Sequence, residues 1–141
     1  MMPMPHQVAR EVLRVGRQIL VCGLVVGTWG NISVRSQPGG FVITPSGISY
    51  DNLNEADLVV VDERGERIAG NRQPSSERLL HAAIYQARPD VRGIVHTHSL
   101  YASVFAVNRE EIPVVIEGTG PVAWRTCRGG KICIPGESGS S

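Results

Sequence analysis

Short runs of valine, isoleucine and other apolar residues, each closed by a turn containing glycine or proline, restrict the fold of this chain more than any other feature. Runs of four or five such residues predict strands, because a helix needs a longer periodic stretch. The segment 27–33 is predicted to be a turn that runs into a short strand. The other predicted strands are Phe41–Thr44, Leu58–Asp62, Gly93–Thr97 and Val114–Glu117. The turns between them include Gln37-Pro38-Gly39-Gly40, Pro45-Ser46-Gly47 and Glu63–Glu66.

Three segments have helical periodicity instead. Val8–Leu20 carries apolar residues at helical spacing and is followed by Gly23, where a helix would stop. A second helix is predicted to begin at a serine cap in 74–77 and to run through Tyr85, a third covers Tyr101–Val107, and Asn54–Asp57 forms a single helical turn. Strands and helices mix without strict alternation, so we expect a largely antiparallel sheet covered by helices.

Composition excludes several classes of protein. The 141 residues suit one compact domain, and 42% apolar against 19% charged residues is typical of a folded soluble chain. The net charge of +1 predicts neither a nucleic-acid partner nor an anionic membrane surface, and no apolar run reaches the roughly 18–20 residues that cross a bilayer. No signal-peptide hydrophobic region is present, and the three cysteines (Cys22, Cys127, Cys133) form no CxxC pair. A reducing cytoplasm is therefore the expected location.

His96-Thr97-His98 is the sharpest chemical signal in the chain. Residues i and i+2 of a strand point to the same face, so both imidazoles can reach one metal ion near a strand end. The alternative is a pair of surface or hydrogen-bonded histidines, because zinc takes at least three protein ligands in most sites.

Glu77 is the natural companion of the two histidines. A carboxylate in the first turn of a helix is already favoured by the helix dipole, but it can also serve as a metal ligand or as the base beside a carbonyl. His81 lies one helical turn later on the same face. We expect it to pack or to orient Glu77, and the less favoured alternative is a further metal ligand.

Three small polar turns form the second signal. Gly30-Asn31-Ile32-Ser33, Thr44-Pro45-Ser46-Gly47 and Ser75-Ser76 combine hydroxyls, glycine and backbone N–H groups. Such turns bind anions, and Ser75-Ser76 opens a helix whose N–H groups can hold a phosphate. Ordinary turn chemistry accounts for any one of them alone.

Taken in order, Gly30–Ser33, Thr44–Gly47, Pro74–Glu77 and His96–Ser99 resemble the motifs of the class II aldolase and adducin-head family. The resemblance covers about residues 8–120. It implies an α/β fold in which a largely antiparallel sheet lies between helical layers (αβα), commonly a homotetramer with sites at subunit interfaces. It also implies zinc or another divalent ion as cofactor and a phosphorylated ketose, such as L-fuculose 1-phosphate, as substrate.

The same resemblance assigns a role to each matching residue. His96, His98 and Glu77 would be the metal ligands, and Glu77 would also be the catalytic acid or base in enediolate chemistry. The substrate phosphate would be bound by six residues: Gly30, Asn31, Ser46, Gly47, Ser75 and Ser76. Glutamate at position 77 resembles the aldolases, whereas the pentose-phosphate 4-epimerase branch has aspartate there. An epimerase or a sugar-phosphate dehydratase of the same family is an alternative.

The pattern departs from the family downstream. The family supplies a third histidine ligand there, whereas the four histidines of this chain are His6, His81, His96 and His98. The expected organisation is a C-terminally incomplete aldolase-like domain over 1–122 and a divergent, flexible tail over 123–141. Truncation, a shifted reading frame and a divergent short form each account for it. The missing histidine leaves two further alternatives: a non-catalytic binding or assembly domain like the adducin head, and a fragment that needs a partner.

Overall fold

A computed structural model describes residues 6–36 and 39–110 of the 141. The elements follow the chain as α1 (His6–Val21), β1 (Asn31–Arg35), β2 (Phe41–Ile43), a one-turn 3-10 helix (Glu55–Asp57), β3 (Val59–Val61), β4 (Arg67–Ala69), α2 (Arg78–Ala87), β5 (Gly93–His96) and α3 (Leu100–Asn108). The chain divides into two compact units, residues 1–98 and 99–141. The first unit holds all five described strands, α1 and α2, and α3 belongs to the second.

The five strands form one antiparallel sheet in the order β4-β3-β2-β1-β5. Strand β5, the last of the described strands in sequence, therefore pairs with β1, the first of them, and the register sets Asn31 opposite His96. This pairing matters for function because it brings the start of one sequence motif beside the start of another, more than sixty positions along the chain. The antiparallel sheet expected from the sequence is confirmed.

Alternate residues of the central strands belong to two different apolar clusters. Phe41 and Ile43 pack with residues of α2, whereas Val42 between them packs with residues of α1. Strand β3 repeats the pattern, with Val60 in the α1 cluster and its neighbours in the α2 cluster. Since successive side chains of a strand point to opposite faces, the sheet lies between α1 and α2. The αβα layering is confirmed.

Several element boundaries differ by a few residues from expectation, and one strand was not predicted. Strand β4 carries a single large apolar residue, Ile68, which is half exposed, so it lacks the apolar run that marks the other strands. Helix α2 begins at Arg78 rather than in the serine turn. Strand β5 ends at His96, one residue earlier than predicted. The helical turn at 55–57 has the capping box of Asn54 and Asp57 at its start.

Some expectations concern residues that the structure does not describe. They are the strand Val114–Glu117, the domain boundary after residue 122, and Cys127 and Cys133 with the tail around them. These stay predictions. Among the described helices, the structure contains none with the length and apolar character needed to cross a membrane.

Candidate active site

Gly30 permits β1 to begin against the end of β5. Its φ is +77°, which favours glycine. A Cβ at this position would lie 2.6 Å from the carbonyl oxygen of His96 and 2.9 Å from Cγ1 of Val25. The absence of a side chain at position 30 therefore allows the Asn31 motif and the His96 motif to lie side by side.

Glu77 is the residue that immediately precedes α2, and its side chain makes no capping hydrogen bond. Its backbone N–H donates to Oγ of Ser75 (3.2 Å), which fixes the serine turn in front of the helix. Its carboxylate turns toward the sheet instead: Asn31 donates its side-chain N–H to Oε2, and Nδ1 of His96 lies 3.6 Å from the same oxygen. Helix capping therefore does not explain where this carboxylate points.

Glu77, His96 and His98 form one cluster. One ligand atom from each lies within 4.8 Å of the others, and the His96 and His98 ring centroids are 4.9 Å apart. Although strand pairing stops at His96, the chain continues in a direction that keeps the two rings together. One carboxylate oxygen and two imidazole nitrogens are donors that suit Zn²⁺ and related divalent ions. Three protein ligands with a further position open is the arrangement of catalytic rather than structural zinc.

A cleft of about 290 Å³ adjoins this cluster. Its lining includes Glu77, His98 and all six residues for which the sequence predicted anion binding: Gly30, Asn31, Ser46, Gly47, Ser75 and Ser76. The three polar turns, distant in sequence, thus face one space. Their roles toward a ligand stay a prediction, but their common location is what a single bound anion would require.

Hydrogen bonds tie two of these turns to each other. The N–H of Ser46 donates to the carbonyl of Gln73, the N–H of Ser75 donates to the carbonyl of Thr44, and Oγ of Ser46 donates to the carbonyl of Pro74. Within the described part of the chain, the N–H of Gly47 and the N–H and hydroxyl of Ser76 have no such partner. The donors open to an anion are therefore fewer than the motifs suggest.

His81 lies outside the three-residue cluster. It is fully buried, with Nδ1 2.7 Å from Oγ of Ser33 and its ring stacked on Phe41 at 6.4 Å. Burial is the main cause that lowers the pKa of His81 to about 4; the neighbouring His96 contributes to the shift and Glu77 opposes it. The imidazole is therefore neutral at pH 7. This buried position agrees with the packing or orienting role that the sequence favoured for His81 over metal binding.

Trp29 is a site residue that sequence reasoning missed. It lines the cleft, and its ring centroid lies 5.7 Å from that of His98. It is 62% exposed, which is high for so large an apolar side chain. The signal was available in the sequence, because this tryptophan directly precedes Gly30 and Asn31.

Comparison with known proteins gives a consistent result. Residues 10–139 match the profile of the class II aldolase and adducin N-terminal domain. A 5-deoxy-D-ribulose 1-phosphate aldolase from Bacillus thuringiensis is 41% identical over 106 residues, which are 74% of this chain and 50% of that protein. A 5-methylthioribulose-1-phosphate/5-deoxyribulose-1-phosphate aldolase from Escherichia coli is 38% identical over 109 residues, 77% of this chain and 50% of that protein.

Among solved structures, an L-fuculose 1-phosphate aldolase superposes with a TM-score of 0.71 at 39% identity, over 76% of this chain and 51% of that one. The chain spans about half the length of the curated relatives it matches. The family expected from the four ordered motifs is confirmed: the chain belongs to the class II aldolase and adducin N-terminal domain family.

Proposed function

We propose that this chain contributes the metal centre and the phosphate site of a lyase that cleaves a phosphorylated ketose by retro-aldol chemistry. The observation that supports the proposal is that a candidate metal cluster and a candidate anion site lie next to each other. The Glu77–His96–His98 cluster borders the cleft on which all three anion-friendly turns converge. A metal cluster beside an anion site suits a substrate that carries a carbonyl group and a phosphate.

The proposed roles follow from the donors present. Glu77, His96 and His98 would hold the ion, with zinc as the first choice because of the two imidazole ligands. When bound, a divalent ion supplies Lewis-acid polarisation of a carbonyl oxygen. Glu77 would move the proton during carbon–carbon bond cleavage, a contribution typically worth about 10²–10⁴-fold in rate. Asn31, which donates to the Glu77 carboxylate, would keep it oriented toward the histidines.

The phosphate would be held where donors have no partner within the described part of the chain. Among these are the N–H groups of Gly47 and Ser76 and the Ser76 hydroxyl, the last two being just before helix α2. Gly30, Asn31, Ser46 and Ser75 would shape and orient this cleft. Fixing the phosphate holds the reacting carbons in place relative to Glu77.

The substrate, the assembly and the location are part of the same proposal. The relatives named above suggest ketose 1-phosphates, among them L-fuculose 1-phosphate and 5-deoxyribulose 1-phosphate, as first substrates to test. We also propose that the protein forms a homo-oligomer, a tetramer by family resemblance, and that it acts in the cytoplasm. A domain that binds metal and phosphate without turnover is the competing outcome.

The test is cleavage of these ketose 1-phosphates by the zinc-loaded chain, measured as the triose phosphate that is released. Glu77→Gln should lower the rate about 10²–10⁴-fold, and His96→Ala should remove both stoichiometric zinc and turnover. His6→Ala is the matched control, since His6 is an exposed histidine in α1. A folded, zinc-loaded chain with no turnover on any phosphorylated ketose would refute the lyase and leave the binding domain.

The phosphate assignment has its own pair of variants. Ser76→Ala removes a hydroxyl that has no described partner, whereas Ser46→Ala removes one that already donates to Pro74. We expect Ser76→Ala to weaken inhibition by inorganic phosphate more than Ser46→Ala does. Equal effects of the two substitutions would contradict the assignment.

A further inference from the structure

Polar residues of β1 meet polar residues of α2 along a line that leads away from the metal cluster. Asn31 bonds Glu77, and Ser33 contacts both His81 and Tyr85. Arg35 donates to the backbone carbonyl of Tyr85 at 2.9 Å. The spacing is two residues along the strand and four along the helix, so each step advances both elements by a similar distance. We call the side chains of Asn31, Ser33, Glu77, His81 and Tyr85 the polar seam.

The hydrogen atoms of the polar seam determine the tautomer of His81. The Ser33 hydroxyl has one hydrogen and lies between Nδ1 of His81 (2.7 Å) and the Tyr85 hydroxyl (2.8 Å). If Tyr85 donates to Ser33 and Ser33 donates to Nδ1, the imidazole hydrogen is on Nε2. The reverse order would leave the Tyr85 hydrogen and the Nε2 lone pair both without a described partner. The first order leaves fewer groups unpaired, so it is the favoured one.

Two buried polar atoms of the seam have no hydrogen-bond partner among the described residues. They are Nε2 of His81, a donor in this tautomer, and Oδ1 of Asn31, an acceptor. His81 lies one helical turn from Glu77, and Asn31 bonds Glu77 directly through its other side-chain atom. Leaving such buried groups without a hydrogen bond destabilises a folded protein. The donor and the acceptor belong to the two residues that neighbour the Glu77 carboxylate in the seam.

We propose that His81 is a positioning residue of the metal centre: its buried Nε2–H donates to one water, which in turn donates to the Glu77 carboxylate and to Oδ1 of Asn31. The three hydrogen bonds are the number that a buried water commonly makes, and they pair both orphaned atoms. The water would thereby hold the Glu77 carboxylate in place while its Oε2 faces His96. This inference rests on the proposed function, because it takes Glu77 as a ligand of the ion.

The first test uses the chain without metal. In ¹⁵N-histidine-labelled protein, long-range ¹H–¹⁵N spectra report which nitrogen of His81 carries the hydrogen. We expect the Nε2–H tautomer at pH 7. In Tyr85→Phe, which keeps the ring but removes the donor to Ser33, we expect this preference to weaken. A Nδ1–H tautomer in the unsubstituted chain would overturn the proposal, whatever the chain does with metal or substrate.

The second test measures zinc affinity by titration calorimetry. Asparagine can place its amide near the Nδ1 position of histidine, and glutamine can place its amide near Nε2. His81→Asn therefore keeps the Ser33 contact but loses the inner donor, whereas His81→Gln keeps the inner donor. Loss of an outer partner of a ligand typically costs 10–100-fold in metal affinity. We expect that loss in His81→Asn and only a few-fold change in His81→Gln.

The outcomes separate the two proposals. If the unsubstituted chain binds no zinc, or if Glu77→Gln binds it as tightly, the proposed function fails while the tautomer measurement still stands. If zinc binding needs Glu77 but folded His81→Asn binds as tightly as the unsubstituted chain, the role of His81 fails. Should His81→Asn not fold, Tyr85→Phe takes its place, with weaker zinc binding expected alongside the altered tautomer.

Discussion

Gly30 is subject to two separate constraints, and Gly47 to only one of them. Both residues have a positive φ, +77° and +76°. A Cβ on Gly30 would lie 2.6 Å from the His96 carbonyl oxygen, whereas a Cβ on Gly47 would meet nothing within 4 Å. The pair therefore separates the conformational cost of a side chain from the steric cost.

We expect Gly47→Ala to lower the free energy of unfolding by about 1–2 kcal/mol, the cost of a left-handed conformation in a residue with Cβ. Gly30→Ala should lower it by about 1–3 kcal/mol more, because β5 or Val25 must move. Urea unfolding of both variants at one pH measures the difference. Equal losses in the two variants would show that the β1–β5 contact yields easily to a methyl group.

His81 predicts a pH dependence of stability. Its pKa in the folded chain is about 4, against 6.5 for a solvated imidazole. Between these values the unfolded chain binds a proton at this position and the folded chain does not, so stability rises with pH through this window. The contribution of His81 is complete above about pH 6.5 and is lost as the pH falls toward 4.

The expected slope from this residue approaches about 1.4 kcal/mol per pH unit near the middle of the window. Urea unfolding at several pH values measures it in the unsubstituted chain and in His81→Gln, where this contribution should vanish. His6→Gln is the control, because His6 is exposed. A slope that His81→Gln leaves unchanged would mean that other groups carry the acid sensitivity.

At the scale of elements, patterns along the chain predicted the helices and most strands but not every boundary. Periodicity identified α1 and the body of α2, since their buried residues recur at helical spacing. It placed the second helix start within the serine turn, whereas Glu77 precedes the helix and points at the sheet. No neighbouring residue in the sequence indicates this orientation of Glu77, because its hydrogen-bond partner Asn31 lies 46 residues away. Strand β4 was missed because pairing with β3, not an apolar run, forms it.

Helix α1 approaches the remainder of its unit closely at Gly16. A Cβ there would lie 2.7 Å from Cδ1 of Tyr50, whose ring is almost fully buried. Alanine in place of a helical glycine ordinarily stabilises by up to about 1 kcal/mol. We expect the opposite sign for Gly16→Ala, because either the helix or the Tyr50 ring must shift.

Chemical denaturation of Gly16→Ala, with the adjacent exposed substitution Arg17→Ala as control, checks this expectation. A net loss of about 1–3 kcal/mol is the usual cost of overpacking, while Arg17→Ala should stay within about 0.5 kcal/mol of the unsubstituted chain. A stabilised Gly16→Ala would show that α1 has room to move away from Tyr50.

On the scale of the whole molecule, four motifs in order were enough to predict the family and the antiparallel layered sheet. They did not predict which donors within the motifs are already used. The hydroxyl of Ser46 and the N–H groups of Ser46 and Ser75 hold two turns together, and this is apparent only once Thr44 and Pro74 are adjacent. The motif residues thus have two functions, joining the turns and lining the cleft, and a sequence pattern does not separate them.

The three residues of the metal cluster come from two separate parts of the chain. Glu77 precedes α2, whereas His96 and His98 lie at the end of β5 and just beyond it. An ion that binds all three only in the folded chain must stabilise that fold.

At a free zinc concentration of 100 times Kd we expect about 2.7 kcal/mol of added stability, reversed by a chelator. Urea unfolding with and without zinc measures it, with His98→Ala as the test variant and His6→Ala as the control. The gain should persist in His6→Ala and fall sharply in His98→Ala, because two ligands bind zinc poorly. An equal gain in both variants would place the ion elsewhere and separate the fold of this chain from its candidate metal centre.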